Sequence, residues 1–247
     1  MKGIVLAGGA GTRLKPLTNV TNKHLLPVGK EPMIFNPIKQ LVSAGIEDVL
    51  VVTSKEHMGD IVRVLGDGHE FGCNFTFKVQ IEPKGIAHAL SLCEDFARSN
   101  PIVVILGDNI LTHSIKPYVD NFRKQPLGGK MLLKKVGDPE RFGIAAFDEK
   151  KKMIIRIEEK PANPASDYAV IGIYMYDKNV FDIIRTITPS QRGEFEITSV
   201  NNKYIESGNM SHEFLEGFWT DAGTFESLHY ANELLYTINN KIILGDV

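Results

Sequence analysis

Residues Gly3–Leu6 form a short apolar run that opens, after Ala7, directly onto Gly8, Gly9 and Gly11, followed by Thr12 and Arg13. An uninterrupted run of this kind reads as a buried parallel strand. Glycine lacks a Cβ, so the loop after the strand can bring its backbone N–H groups against an anion. Arg13 adds a forked cation suited to phosphate, and Lys23 adds a second positive charge ten residues later. Strand, glycine loop and two cations together predict a phosphate cradle. The stretch is not a P-loop, because Gly29-Lys30 is followed by Glu31. It meets the dinucleotide fingerprint only in part, since Leu14 stands where a third glycine belongs. Taken alone the glycines also suit a plain turn; Arg13 and Lys23 favour the cradle.

The rest of the chain must bury that strand. Pro32 is placed to start a helix over Met33–Ala44, which Gly45 ends. Glu47–Ser54 reads as a strand, 57–65 as a helix stopped by Gly66, and Asn74–Gln80 as an alternating strand. Ile86–Arg98 has helical spacing, and Ile102–Leu106 is a β-branched strand ending in Gly107-Asp108-Asn109. Strands alternating with helices imply right-handed βαβ crossovers and parallel pairing. The second half changes character. Strands are predicted at Lys130–Val136, Gly143–Phe147, Met153–Glu158, Tyr168–Tyr176 and Met210–Glu216, with a charged turn, DEKKK, before the third. Helices follow Asp177 to about Ile187, run over Glu194–Ser207, and cover Phe225 to about Ile238. No internal repeat or Ser/Gly linker appears, so residues 1–247 read as one α/β domain with a mixed, mostly parallel sheet. The change of character divides it into halves of about 1–110 and about 111–247.

Composition narrows the function. A net charge of −2 leaves no basic surplus for a nucleic acid backbone, though one cationic pocket is still allowed. No apolar run reaches membrane-spanning length and the N-terminus reads as a strand, so no membrane partner and a cytoplasmic location are expected. Cys73 and Cys93 have neither C-x-x-C nor zinc spacing and read as two reduced core thiols.

Asp108 falls at the carboxyl end of the most apolar strand, the edge where open α/β sheets bind ligands. A carboxylate there suits Mg²⁺, which takes one or two carboxylates plus substrate phosphates; it would equally cap the following segment. Asp221, in Trp219-Thr-Asp-Ala-Gly-Thr, reads by itself as a turn and helix cap. Glu159 and Lys160 read as a solvated strand end, Gln80 as a polar one, and Glu194 as an acid favouring a helix N-terminus.

Together, LAGGAGTRLKPLT, NKHLLPVGKEPMI, the GDN at 107–109, EEKP at 158–161, RGEFEIT at 192–198 and WTDAGT at 219–224 resemble the sugar-1-phosphate nucleotidylyltransferases over nearly the whole chain. The resemblance implies a Rossmann-like three-layer αβα fold of the nucleotide-diphospho-sugar transferase type, with the nucleotide bound by the half over about 1–110 and the sugar phosphate by the half over about 111–247. It implies Mg²⁺-dependent, direct in-line transfer of a thymidylyl group from dTTP to glucose 1-phosphate, the first step towards dTDP-deoxysugars such as dTDP-rhamnose. Arg13 and Lys23 would be catalytic. Leu6, Ala7, Gly8, Gly9, Gly11, Thr12, Arg13, Lys23, His24, Gln80, Gly85 and Asp108 would hold the nucleotide. Gly143, Glu159, Lys160, Val170 and Glu194 would hold the sugar phosphate, and Asp108 with Asp221 the metal. A homo-oligomer is compatible with the resemblance. One departure concerns base choice: His24 stands where thymidylyl-transferring members usually have Gln. The alternatives are the same chemistry with UTP or another hexose 1-phosphate, or a sensing subunit without activity; joint retention of Arg13, Lys23, Asp108 and Asp221 speaks against the last.

Overall fold

The structure, a computed structural model, describes residues 1–125, 127–148 and 153–244. Most of the DEKKK turn therefore lies outside the described residues. The chain begins with β1 (Lys2–Ala7), then a small hairpin of β2 (Pro27–Val28) and β3 (Glu31–Pro32), then α1 (Phe35–Ser43). There follow β4 (Asp48–Ser54), α2 (Met58–Leu65), β5 (Asn74–Gln80), α3 (Ile86–Ser91), α4 (Glu94–Ala97), β6 (Ile102–Leu106), β7 (Asn109–Leu111) and α5 (Lys116–Arg123). The second half holds β8 (Gly129–Lys135), β9 (Gly143–Phe147), β10 (Ile154–Glu159), β11 (Tyr168–Tyr176), α6 (Val180–Ile184), α7 (Ile197–Glu206), β12 (Met210–Phe214), β13 (Trp219–Asp221) and α8 (Phe225–Leu244). Among the described residues no helix is long and apolar enough to cross a membrane.

The main sheet runs β10-β9-β11-β6-β1-β4-β5, with β8 beside β11 and β12 beside β8. β6, β1, β4 and β5 pair in parallel, as the alternating first half predicts. β11 joins the halves: Ile173–Tyr176 runs antiparallel to β6, while other parts of the strand pair with β8 and β9. The sheet is therefore mixed. Its inner strands are apolar on both faces because both are covered. One face packs with α3, α6 and α7 through residues such as Leu90, Val180 and Val200; the other packs with α1, α2 and α5 through Ile38, Leu41, Ile61 and Val119. The hairpin β2–β3 and α8 form a smaller core around Leu14, Met33 and Ala231.

Four local readings are corrected. α1 starts at Phe35 rather than at Pro32, because Pro32 is taken up in the hairpin, paired with Pro27. The predicted helix 86–98 is two short helices, with no glycine or proline at the break to announce it. The helix expected from Glu194 starts at Ile197. Trp219–Asp221 is not a turn but a strand, antiparallel to β7.

The end of β11 is held by a buried carboxylate. Asp177 accepts from Tyr204 Oη at 2.7 Å and Gly128 N at 2.7 Å, and from Asn179 N at 3.0 Å and Asn179 Nδ2 at 2.8 Å. Hydrogen bonds to a charged acceptor are the strong ones, and removing the acceptor strands its donors; Asp177→Ala is expected to cost about 3 kcal/mol in urea unfolding. An unchanged midpoint would show that water replaces the carboxylate without loss.

Candidate active site

Two adjoining cavities open at the carboxyl ends of β1 and β6, and Ile86, Leu106, Asp108 and Glu194 line both. This is the edge to which the sequence assigned the cradle. The first cavity is walled by Leu6, Gly8, Gly9, Lys23, His24, Gln80 and Gly85. Four residues expected there, Ala7, Gly11, Thr12 and Arg13, are not on its wall, and Arg13 lines the second cavity instead. Ala7 is fully buried in β1. Gly11, at φ 62°, turns the chain into a single helical turn over Thr12–Leu14.

Local geometry explains two glycines. A Cβ on Gly8 would lie 2.7 Å from Gln80 Oε1, so the loop and the glutamine can approach only without a side chain. Gly85 has φ 98°, and a Cβ there would meet Phe195 O at 2.6 Å. Gly8→Ala is thus expected to raise the nucleotide KM about tenfold by displacing Gln80, with the sugar-phosphate KM little changed. Equal rises in both KM values would locate the fault in the fold rather than in the first cavity.

Gln80 is 7 % exposed, and its amide nitrogen lies 3.0 Å from His88 Nδ1 and donates to Gly85 O at 3.5 Å. His24 is 2 % exposed. Its Nδ1 bonds Asn22 Oδ1 at 2.7 Å, and Asn22 Oδ1 also accepts from His24 N at 2.8 Å. Burial first, then the adjacent Lys23, push the His24 pKa down to about 3, so the ring is neutral with its proton on Nδ1.

At the junction of the cavities Lys23 Nζ donates to Asp108 Oδ2 at 2.5 Å. Burial pushes the Asp108 carboxyl up, but Lys23, His24 and the Asn109 amide outweigh it and bring its pKa down to about 2. The β7–β13 pairing sets Asp221 opposite Asn109, next to Asp108, and Ala222 N donates to Asp108 O at 2.8 Å. Asp221 faces Arg141 at 3.3 Å and Arg13 at 3.9 Å. Even so, burial and the charge of Asp108 raise its pKa to about 6. Trp219 Nε1 donates to Asn109 Oδ1 at 2.6 Å and fixes the floor between the two strands.

The second cavity gathers Gly143, Glu159, Lys160, Val170 and Glu194 with Arg13, Asp108 and Asp221. Glu159 Oε2 accepts from Thr198 Oγ1 at 2.5 Å. Lys160 sits at the end of β10 with φ 44°, a left-handed conformation rare for lysine, pinned by its N–H to Phe142 O at 2.9 Å. Arg192 reaches over from the RGEFEIT loop and pairs with Glu194 at 3.0 Å and Glu196 at 3.1 Å. Arg141, Arg192, Asn109 and Asn201 line this cavity although sequence reasoning gave them no role. The signal for Asn201 was its place three residues after Thr198, on one helix face.

Among the described residues no cluster of three or more His, Cys, Asp or Glu could hold a metal ion. The pair Asp108 and Asp221 fits a divalent cation of another kind, one completed by substrate oxygens. Both line the second cavity, and their mutual repulsion is what an added cation would relieve.

Glycine loop, paired carboxylates and a mixed αβα sheet define a nucleotide-binding α/β transferase fold. A solved structure of UDP-glucose pyrophosphorylase with UDP-glucose shares that fold at a TM-score of 0.85 and 23% identity, covering 96% of this chain and 98% of that one. The nucleotidyl transferase family pattern matches residues 2–237, and the chain belongs to this family. It is 42% identical to the glucose-1-phosphate thymidylyltransferase of Neisseria meningitidis over 97% of this chain and 84% of the relative. A Bacillus anthracis protein provisionally assigned as a glucose-1-phosphate thymidylyltransferase, crystallised with sucrose, is 55% identical, with a TM-score of 0.90 over 95% of this chain and 94% of that one.

Proposed function

We propose that this chain transfers a thymidylyl group from dTTP to glucose 1-phosphate, giving dTDP-glucose and pyrophosphate. The observation that carries the reading is the pair of cavities meeting at Asp108, one walled by the glycine loop, the other by Glu159 and Lys160. The choice of dTTP and glucose 1-phosphate rests on the relatives' names and identities. In this reading residues 1–110 hold the nucleotide and 111–247 the sugar phosphate, in a cytoplasmic enzyme that supplies dTDP-deoxysugar synthesis.

The nucleophile is already an anion, so no general base is required. The difficulty is to bring a dianion to an α-phosphorus surrounded by negative oxygens, which calls for positioning and charge neutralisation. Gly8 and Gly9 lie against the triphosphate, Gln80 and Gly85 at the base, and His24 beside the nucleotide sugar. Glu159 accepts from a glucose hydroxyl and Lys160 neutralises its phosphate. A glucose 1-phosphate oxygen attacks in line, the bond from the α-phosphorus to the bridging oxygen breaks, and pyrophosphate leaves. Lys23 and Arg13 stabilise the charge built up on the α-phosphate. Asp108 and Asp221 would hold Mg²⁺, which supplies further neutralisation of the phosphate oxygens when bound.

The test is pyrophosphate release with glucose 1-phosphate and Mg²⁺ across dTTP, UTP, CTP, GTP and ATP, with EDTA as control. Metal-dependent release with dTTP is expected. Release with another nucleotide alone would move the substrate, and nucleotide binding with no turnover on any of the five would overturn the reading.

A further inference from the structure

We propose that Asn201 is a specificity-determining residue, its amide nitrogen donating a hydrogen bond to one hydroxyl of the hexose phosphate. The inference rests on the functional reading above and names a contact in its sugar site.

Asn201 lies on α7, is 1 % exposed, and lines the second cavity. Its amide cannot turn freely. Tyr176 Oη donates to Asn201 Oδ1 at 2.6 Å. Tyr176 is fully buried, stacked between Tyr174 at 6.0 Å and Tyr204 at 5.6 Å, and Tyr204 is itself fixed by Asp177. Burial holds the Tyr176 proton on far above the ordinary tyrosine range. That proton has Asn201 as its one partner among the described residues. Turning the amide over would set Nδ2–H against the phenol and leave the phenolic proton unpaired in a closed core, at a cost of about 1–3 kcal/mol. Oδ1 is therefore committed to Tyr176.

The amide nitrogen has no partner among the described residues. It is not sealed in either: Thr53 Oγ1 is the one sealed, unpartnered side-chain polar atom among them. The small exposed part of Asn201 is thus its donor, and it opens on the cavity. Thr198, one helical turn earlier on the same face, holds the Glu159 carboxylate at 2.5 Å. Acceptor and donor so line one cavity. A sugar hydroxyl both donates and accepts, and one placed there satisfies the Asn201 donor while giving its own proton to Glu159. A site with a buried donor rejects an analogue that lacks the matching hydroxyl, because the donor then stays unpaired.

The experiment measures kcat/KM with dTTP for glucose 1-phosphate and its 2-, 3-, 4- and 6-deoxy analogues. The wild type is compared with Asn201→Ala, Asn201→Asp and Tyr176→Phe. In the wild type one deoxygenation is expected to cost about tenfold or more. Asn201→Ala should lose about tenfold on glucose 1-phosphate, carried by the sugar-phosphate KM, and show a reduced penalty for that one deoxygenation, the bond to Glu159 remaining, while keeping the other penalties in full. Asn201→Asp, which keeps shape and removes the donor, should lose at least as much. Tyr176→Phe frees the amide and should blunt the same discrimination; both variants keep the test open should the alanine variant fail to fold. Deoxy penalties in the folded Asn201 variants identical to those of the wild type would overturn the proposal and leave the functional reading intact. No turnover of glucose 1-phosphate by the wild type with any nucleotide would overturn both.

Discussion

Lys23→Met is expected to lower kcat about 10²–10³-fold, the usual cost of removing one preorganised charge contact at a reacting phosphate. It is also expected to destabilise the protein. Lys23 is the partner of Asp108 at 2.5 Å, and both side chains are only 12 % exposed. The folded Asp108 pKa, at about 2, lies below the ordinary carboxylate value. Such a group adds stability that is present above the unfolded pKa and lost as pH falls through about 2. Without Lys23, burial acts with less opposition and pushes the carboxyl up, so stability falls across the neutral range. Steady-state kinetics and melting curves at pH 5 and 8 read the two effects separately. Turnover near the wild-type value would remove Lys23 from the chemistry; lost turnover with unchanged melting would show that Asp108 finds another cation.

Asp221→Asn is expected to separate stability from activity in the opposite direction. Burial and Asp108 raise the Asp221 pKa to about 6, above its value in the unfolded chain. A raised carboxyl contributes stability that is complete below the unfolded pKa and lost as pH rises through about 6. At neutral pH the charged form is therefore a strain on the fold, although Arg141 and Arg13 moderate it. Asparagine keeps the shape and removes the charge. Without added metal, the variant should melt about 2–4 °C higher at pH 8, and the gain should vanish below about pH 4, where the wild-type carboxyl is protonated in both states. With Mg²⁺, kcat should fall about 10²–10³-fold. A gain independent of pH would assign it to packing; full activity would exclude Asp221 from the metal pair.

The strands and the edge that carries the site were legible because apolar runs such as Ile102–Leu106 have one physical solution, burial on both faces. The placement of Asp108 followed from that alone. Asp221 was legible as its neighbour only through the family resemblance, not from pattern or spacing. Trp219–Asp221 is three residues long, too short for periodicity, and its pairing with β7 is a tertiary event. Lys23 illustrates a different limit. Its spacing from the glycine loop announced a phosphate cation, but the direct bond to Asp108 depends on how the turns between Arg13 and Leu26 fold back. Asn201 and Arg141 stayed silent because a polar residue in a helix or a loop has an ordinary explanation until its neighbours are known. The break between α3 and α4 has no signal in residue type at all.

The chain has a single tryptophan, and it is Trp219 on the wall of the second cavity. Its ring stands edge-on to Phe142 at 5.6 Å, and its N–H is tied to Asn109. Excited at the red edge of the tryptophan band, where tyrosine does not absorb, the protein therefore emits from one indole beside the carboxylate pair. A ligand entering that cavity alters the polarity around this indole, so titrations can be followed by light, without a label and without turnover.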